Sequence, residues 1–119
     1  MSLVIEKKKE IDEMTIYLKL FQLYKSFLLM ISDQESMGIG NVTIGNPPTI
    51  EGIKSISTSS NIFGVHHKLL STIITEKASS ILKKPVLLLL FLKTKKTEEK
   101  ILKPLIIFLN ETLIAIGKN

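Results

Sequence analysis

Val86-Leu87-Leu88-Leu89-Leu90-Phe91-Leu92 is an unbroken run of seven apolar residues, framed by Lys83-Lys84-Pro85 and by Lys93-Thr94-Lys95-Lys96. A bilayer crossing needs roughly 20 such residues, so this run is far too short to span one. It has the length of a strand buried on both faces. A strand of that kind needs material on each side of its sheet, and the expectation is a compact layered domain.

The segments around it supply the layers. Met14–Tyr24 alternates, with Met14, Ile16, Leu18 and Leu20 on one face and Thr15, Tyr17, Lys19, Phe21 and Leu23 on the other. Gln22–Ser26 holds a turn and Phe27–Ile31 resumes as a strand, which makes a hairpin. Leu3–Lys9 reads as a short first strand, and Ile39–Ile44 as another among Gly38, Gly40 and Gly45. Asn46-Pro47-Pro48 ends that strand, because proline has no N–H for a ladder. In the Ser/Thr-rich stretch Thr49–Asn61 one further strand is expected near Ser55–Thr58.

Two stripes have helical spacing. The first is Leu69/Leu70, Ile73/Ile74, Ala78 and Ile81/Leu82, capped by Ser60 or Asn61 and stopped by Pro85. The second is Ile101/Leu102, Leu105/Ile106, Leu109 and Leu113/Ile116. Thr97 is its expected N-cap, with Glu98 and Glu99 in the first turn and Gly117 at the end. Pro104 either kinks this helix or marks its true start. The order predicts one α+β domain over residues 1–119, a mainly antiparallel sheet with two principal helices packed against it.

Composition narrows the chemistry. With 119 residues the chain can bury a core without disulfides or metal. It has no cysteine, which excludes a disulfide scaffold, a thiol nucleophile and thiolate metal sites. The formal charge is +5, and every basic residue is lysine. Lysine is a point charge without the bidentate fork of arginine, and the lysines are dispersed. The excess reads as solubility or attraction to an acidic protein surface, and nucleic-acid binding is not expected. The amino terminus lacks the pattern of a secretory signal, so a cytoplasmic protein is expected, with the nucleus also open.

No constellation asks for catalysis. His66 and His67 are adjacent, and neighbouring helical positions diverge by about 100°, so they do not face a common ligand. Gly38, Gly40 and Gly45 lack the Gly-Lys-Ser/Thr ending of a phosphate loop and read as tight turning. Ser55, Ser57, Thr58, Ser59 and Ser60 contain no Gly-x-Ser-x-Gly elbow. Asp33, Glu35, Glu98 and Glu99 lie in polar runs without the apolar surroundings that make a carboxyl an acid–base catalyst. A non-enzyme without catalytic, cofactor or metal residues is expected.

Tyr17, Phe21 and Leu23 have no evident partner within the chain. Either a helix covers them or they mark an interaction surface. Three functions follow: an assembly scaffold acting through protein contacts; a small ligand-binding or enzymatic α+β domain built around His66 by the 38–48 and 49–61 loops; or a membrane-surface adaptor using the last helix with Lys100, Lys103 and Lys118. An interfacial helix usually shows a larger polar face than this one, which disfavours the third.

The order of segments resembles the small proteasome assembly chaperones, the third and fourth members of that set and their yeast counterparts. The resemblance is carried by Leu3–Lys8, the long strand Thr15–Tyr24, Phe27–Ile31, the Met37-Gly38 turn and Val42-Thr43-Ile44. It continues through Ser57-Thr58-Ser59, Gly64, the helix ending Ala78–Leu82, the strand Val86–Leu92 and a last helix opened by Glu98-Glu99. The Met-Gly turn is nearer the third member and the Ser-Thr-Ser segment nearer the fourth; Pro104 and Pro48 depart from the pattern. The resemblance implies an antiparallel sheet with helices, used as a homodimer or heterodimer with a like-folded chain. It also implies non-catalytic binding of a proteasome α-subunit (the fifth, in the characterised cases) to assist α-ring assembly, ending when β-subunits arrive.

Overall fold

The computed structural model describes residues 1–47, 56–61 and 67–117. Its elements are β1 (Ser2–Ile11), β2 (Met14–Leu23), β3 (Ser26–Ser32), β4 (Asn41–Asn46), β5 (Ile56–Asn61), α1 (Lys68–Leu82), β6 (Val86–Phe91) and α2 (Glu98–Gly117). The six strands form one sheet in the order β1-β2-β3-β6-β4-β5. Only the β3–β6 pair is parallel. The architecture is α+β, as the alternation and the two helical stripes predict.

Local chemistry sets the turns. Asp12 and Glu13 both take positive φ (49° and 67°), the left-handed pair that matches the twist of a two-residue hairpin. The β2–β3 turn uses Lys25 at φ 54°. The apolar β6 enters between β3 and β4, and its ladders on both sides satisfy its backbone groups.

The core lies on one side of the sheet. Ile16, Leu18 and Leu20 of β2, Leu29 and Ile31 of β3, and Val86, Leu88 and Leu90 of β6 are buried there. Leu70, Ile74, Ala78 and Leu82 of α1 and Ile101, Leu105, Phe108, Leu109 and Leu113 of α2 complete the cluster. Each such Leu, Ile, Val or Phe side chain, fully buried, contributes about 1.5–3 kcal/mol. α1 lies over β4, β5 and β6, while α2 packs on α1 and reaches β1.

Several expectations need correction. Among the described residues the helices cover one face of β6, where Val86, Leu88 and Leu90 are buried, whereas Leu87, Leu89 and Phe91 on the other are half-buried. Among the described residues no second layer lies on that other side. The start of α1 is not at Ser60 or Asn61, which belong to β5, paired with Val42 and Asn41. The helix begins after His67, whose backbone is left-handed (φ 75°) and whose side chain makes no capping hydrogen bond. Leu69 is 60% exposed, so it leaves the core stripe. Pro104 lies inside α2 and does not begin it.

Beside the apolar stripe α1 carries a buried polar one, Ser71, Thr75 and Ser79. It faces β4, where Asn41 Nδ2 donates to Ser71 Oγ at 3.2 Å. The hydroxyl of Thr75 donates to the Ser71 carbonyl at 2.6 Å, so burial leaves it satisfied.

Candidate protein-interaction surface

The strand registers define what the uncovered face presents. Side chains opposite one another across a ladder share a face. Leu3 pairs with Phe21, Phe21 with Leu28, Leu28 with Leu87, and Leu87 with Ile44. One apolar row of five therefore crosses β1, β2, β3, β6 and β4. Its two ends, Leu3 (53%) and Ile44 (51%), are exposed, and the three between them are half-buried.

The adjacent row runs Glu6, Lys19, Met30, Leu89 and Val42. Its apolar part, Met30, Leu89 and Val42, is contiguous with the first row. Its charged part closes on itself through Lys19 Nζ and Glu6 Oε2 at 3.3 Å. A third row, Lys8, Tyr17, Ser32 and Phe91, is partly covered by the chain leading from β3 to β4. Gly38 of that chain lies against the Phe91 ring, where an added Cβ would come within 3.2 Å. A cavity of about 540 Å³ beside Tyr17 is rimmed by Glu6, Lys8, Lys19 and Glu35. The face thus has an apolar centre and a rim of mixed charge.

Tyr17, Phe21 and Leu23 all project from this face, being two-residue steps along β2 opposite to the buried Ile16, Leu18 and Leu20. Phe21 sits within the apolar row, Tyr17 at the charged end, and Leu23 beside the β2–β3 turn opposite Ser26. No helix among the described residues covers them. Leu3, Leu28, Met30, Val42, Ile44, Leu87 and Leu89 are the members that the sequence reading did not assign. The usable signal was the hairpin register, which brings Leu28 beside Phe21; the β6 and β4 members depend on a crossover that periodicity does not encode.

The other sequence candidates are dispersed. His66, Ser55, Pro48, Gly64 and Lys118 lie outside the described residues, as do residues 48–55 of the two segments expected to build a pocket around His66; much of the rest of those segments is not loop but the paired strands β4 and β5. His67 Nδ1 lies 3.9 Å from Glu98 Oε1 at the start of α2. Gly40 packs on the backbone of β6, where a Cβ would meet the Leu90 carbonyl at 2.4 Å, and Gly45 lies under Thr75 at the same distance from its methyl. These glycines serve close packing of this chain against itself. Asp33 is engaged in holding the segment after β6, and Glu35 is on the rim already described. Among the described residues no group of three or more His, Asp or Glu could hold a metal ion. Among them, too, no helix is long and apolar enough to cross a membrane.

No protein-family profile matches this chain, and no curated protein matches it. Solved structures do. A chain from the crystal structure of a novel chaperone complex for yeast 20S proteasome assembly superimposes with a TM-score of 0.65. The match covers 99% of this chain and 98% of that one at 8% sequence identity. At that identity the likeness establishes the fold, and it does so from end to end: this chain is built on the same architecture as that chain of the yeast complex.

Proposed function

We propose that this chain is a non-catalytic assembly chaperone that pairs through its uncovered sheet face with a like-folded chain and, as that dimer, binds a proteasome α-subunit during α-ring formation. The observation that carries the reading is the apolar row Leu3–Phe21–Leu28–Leu87–Ile44 on a face that no helix among the described residues covers. Contiguous apolar surface of this kind is costly in water and is the usual mark of a partner's footprint. A two-fold pairing would place row against row and let the mixed-charge rim meet its own image. The end-to-end fold likeness to a chain of a yeast chaperone complex for 20S proteasome assembly, and the resemblance of segment order, support the proteasomal partner. A site in the cytoplasm, and also the nucleus, goes with that partner.

Light-scattering mass on the purified chain, followed by capture from a lysate with identification of the bound proteins, tests the two halves separately. A dimer that retains free proteasome α-subunits and not mature proteasome is the expected result. A monomer would overturn pairing with itself, and pairing with a like-folded paralogue would then have to appear among the captured chains. Capture without any α-subunit would remove the proteasomal reading.

A further inference from the structure

A cleft of about 740 Å³ opens at the far end of β6, between the start of α1 and the link into α2. It shares no residue with the rows of the open face. Three lysines line it, Lys68 from α1 and Lys93 and Lys95 from the link, with Glu98 and His67 on one wall. Each of the three lysines is exposed, and among the described residues none forms an ion pair with a carboxylate. Elsewhere on the molecule lysines do find acids: Lys9 pairs with Glu111, Lys19 with Glu6 and Lys96 with Asp12. Three lysines thus face a single carboxylate, Glu98, among the described residues that line the cleft.

Its shape is held in place. The Asp33 carboxylate fixes the backbone of Lys93 and Thr94, and Lys96 is tied by its N–H to Thr94 Oγ1 and by its side chain to the β1–β2 turn. Apolar surface sits beside the charge, with Leu69 60% exposed at one rim and Leu92 half-buried in the wall. Lysine supplies charge without the planar fork that reads a phosphate group bidentately.

We infer that this cleft is a docking site for an acidic peptide segment of a partner protein, the lysines meeting its carboxylates and Leu69 with Leu92 accepting an apolar side chain between them. The inference is separate from the pairing of sheets, since no residue of the cleft belongs to the rows of the open face.

The probe is a short fluorescein-labelled peptide of mixed Glu and Leu, with a twin in which Gln replaces Glu, titrated with the full chain in fluorescence anisotropy. The variant Lys68→Gln/Lys93→Gln/Lys95→Gln is compared with Lys77→Gln/Lys100→Gln/Lys103→Gln, which removes the same charge from exposed positions outside the cleft. Exposed ion pairs are individually weak, and three together predict about a tenfold loss for the cleft variant against at most about twofold for its control. Raising salt from about 50 to about 200 mM should weaken the wild-type complex. Equal losses in the two variants would show attraction to net charge alone and overturn the proposal. So would equal affinity for the Gln twin, or no measurable binding by wild type. Amide shift mapping on the unmodified chain is independent of whether any variant folds. Shifts at Leu69, Lys93 and Thr94 support the site, and shifts confined to β2 and β3 overturn it.

Discussion

The carboxylate of Asp33, one residue beyond β3, accepts hydrogen bonds from the backbone N–H of Thr94 at 2.8 Å and of Lys93 at 3.0 and 3.1 Å. The β3 end and the β6 end run parallel here, so one side chain can close both, and the N–H of Asp33 itself donates to the Phe91 carbonyl. Charged hydrogen bonds are worth about 1.5–3 kcal/mol when protected, and less at a half-exposed site. Asp33→Ala should therefore lower stability by about 1–2 kcal/mol in a urea titration, and Asp33→Asn by about half as much because one acceptor oxygen survives. Hydrogen exchange at the Lys93 and Thr94 amides should accelerate in both. Unchanged exchange at those two amides would mean that the link is held by other contacts.

Gly45 approaches α1 more closely than any side chain allows. A Cβ there would lie 2.4 Å from the Thr75 methyl and 3.1 Å from the Thr75 carbonyl oxygen. Gly45→Ala should cost about 1–3 kcal/mol through forced separation of helix and strand. Thr75→Ser removes the methyl while keeping the hydroxyl that donates to the Ser71 carbonyl. The double variant Gly45→Ala/Thr75→Ser should recover a large part of the loss, a coupling that a double-mutant cycle reads directly. Strict additivity would show that the two residues are not in conflict.

The alternation of β2 was legible because its two faces differ in kind: Ile16, Leu18 and Leu20 are apolar, whereas Thr15 and Lys19 are not. In β6 the same alternation is silent. Leu87 and Leu89 face outward and Leu88 and Leu90 face the helices, and identical side chains carry no period. A run covered by two layers of its own chain reads the same as one covered by a single layer and left open on the other side. That is why Tyr17 and Phe21 could be singled out on the open face while Leu28, Leu87 and Ile44 could not. The start of α1 was misplaced for a related reason: the Ser/Thr cluster that resembles a cap is strand β5 paired to β4, and the residue that opens the helix is a left-handed histidine. Pairing partners distant in sequence decide such cases, and local propensity has no access to them.

Tyr17→Ala/Phe21→Ala removes two half-buried rings from the open face, so the isolated chain should lose only about 1–2 kcal/mol while association weakens by tenfold or more. Tyr24→Ala, at a turn residue 86% exposed and off the apolar row, should change neither. Sedimentation or light scattering across a dilution series measures the association, and thermal melting measures the fold. Global unfolding of the double variant would place those rings in the core and sink the interface.

Neighbouring leucines of β6 give the sharpest separation of the two faces. Leu88 is fully buried beneath the helices, and Leu88→Ala should cost about 2–5 kcal/mol, transfer and cavity terms together. Leu87 lies between Leu28 and Ile44 in the open row, and in the single chain it already meets water. Leu87→Ala should therefore cost the monomer about 1 kcal/mol or less, and it should lower the association constant by about fivefold or more if a partner covers the row. Leu87→Asp would raise the contrast, since a carboxylate is hydrated on an open face and is stranded once that face is covered. Its expected outcome is a folded monomer that melts somewhat below wild type at dilution and does not assemble at high concentration. Should Leu87→Asp instead dimerise as wild type does, the row is exposed in the functional protein and its partner binds elsewhere.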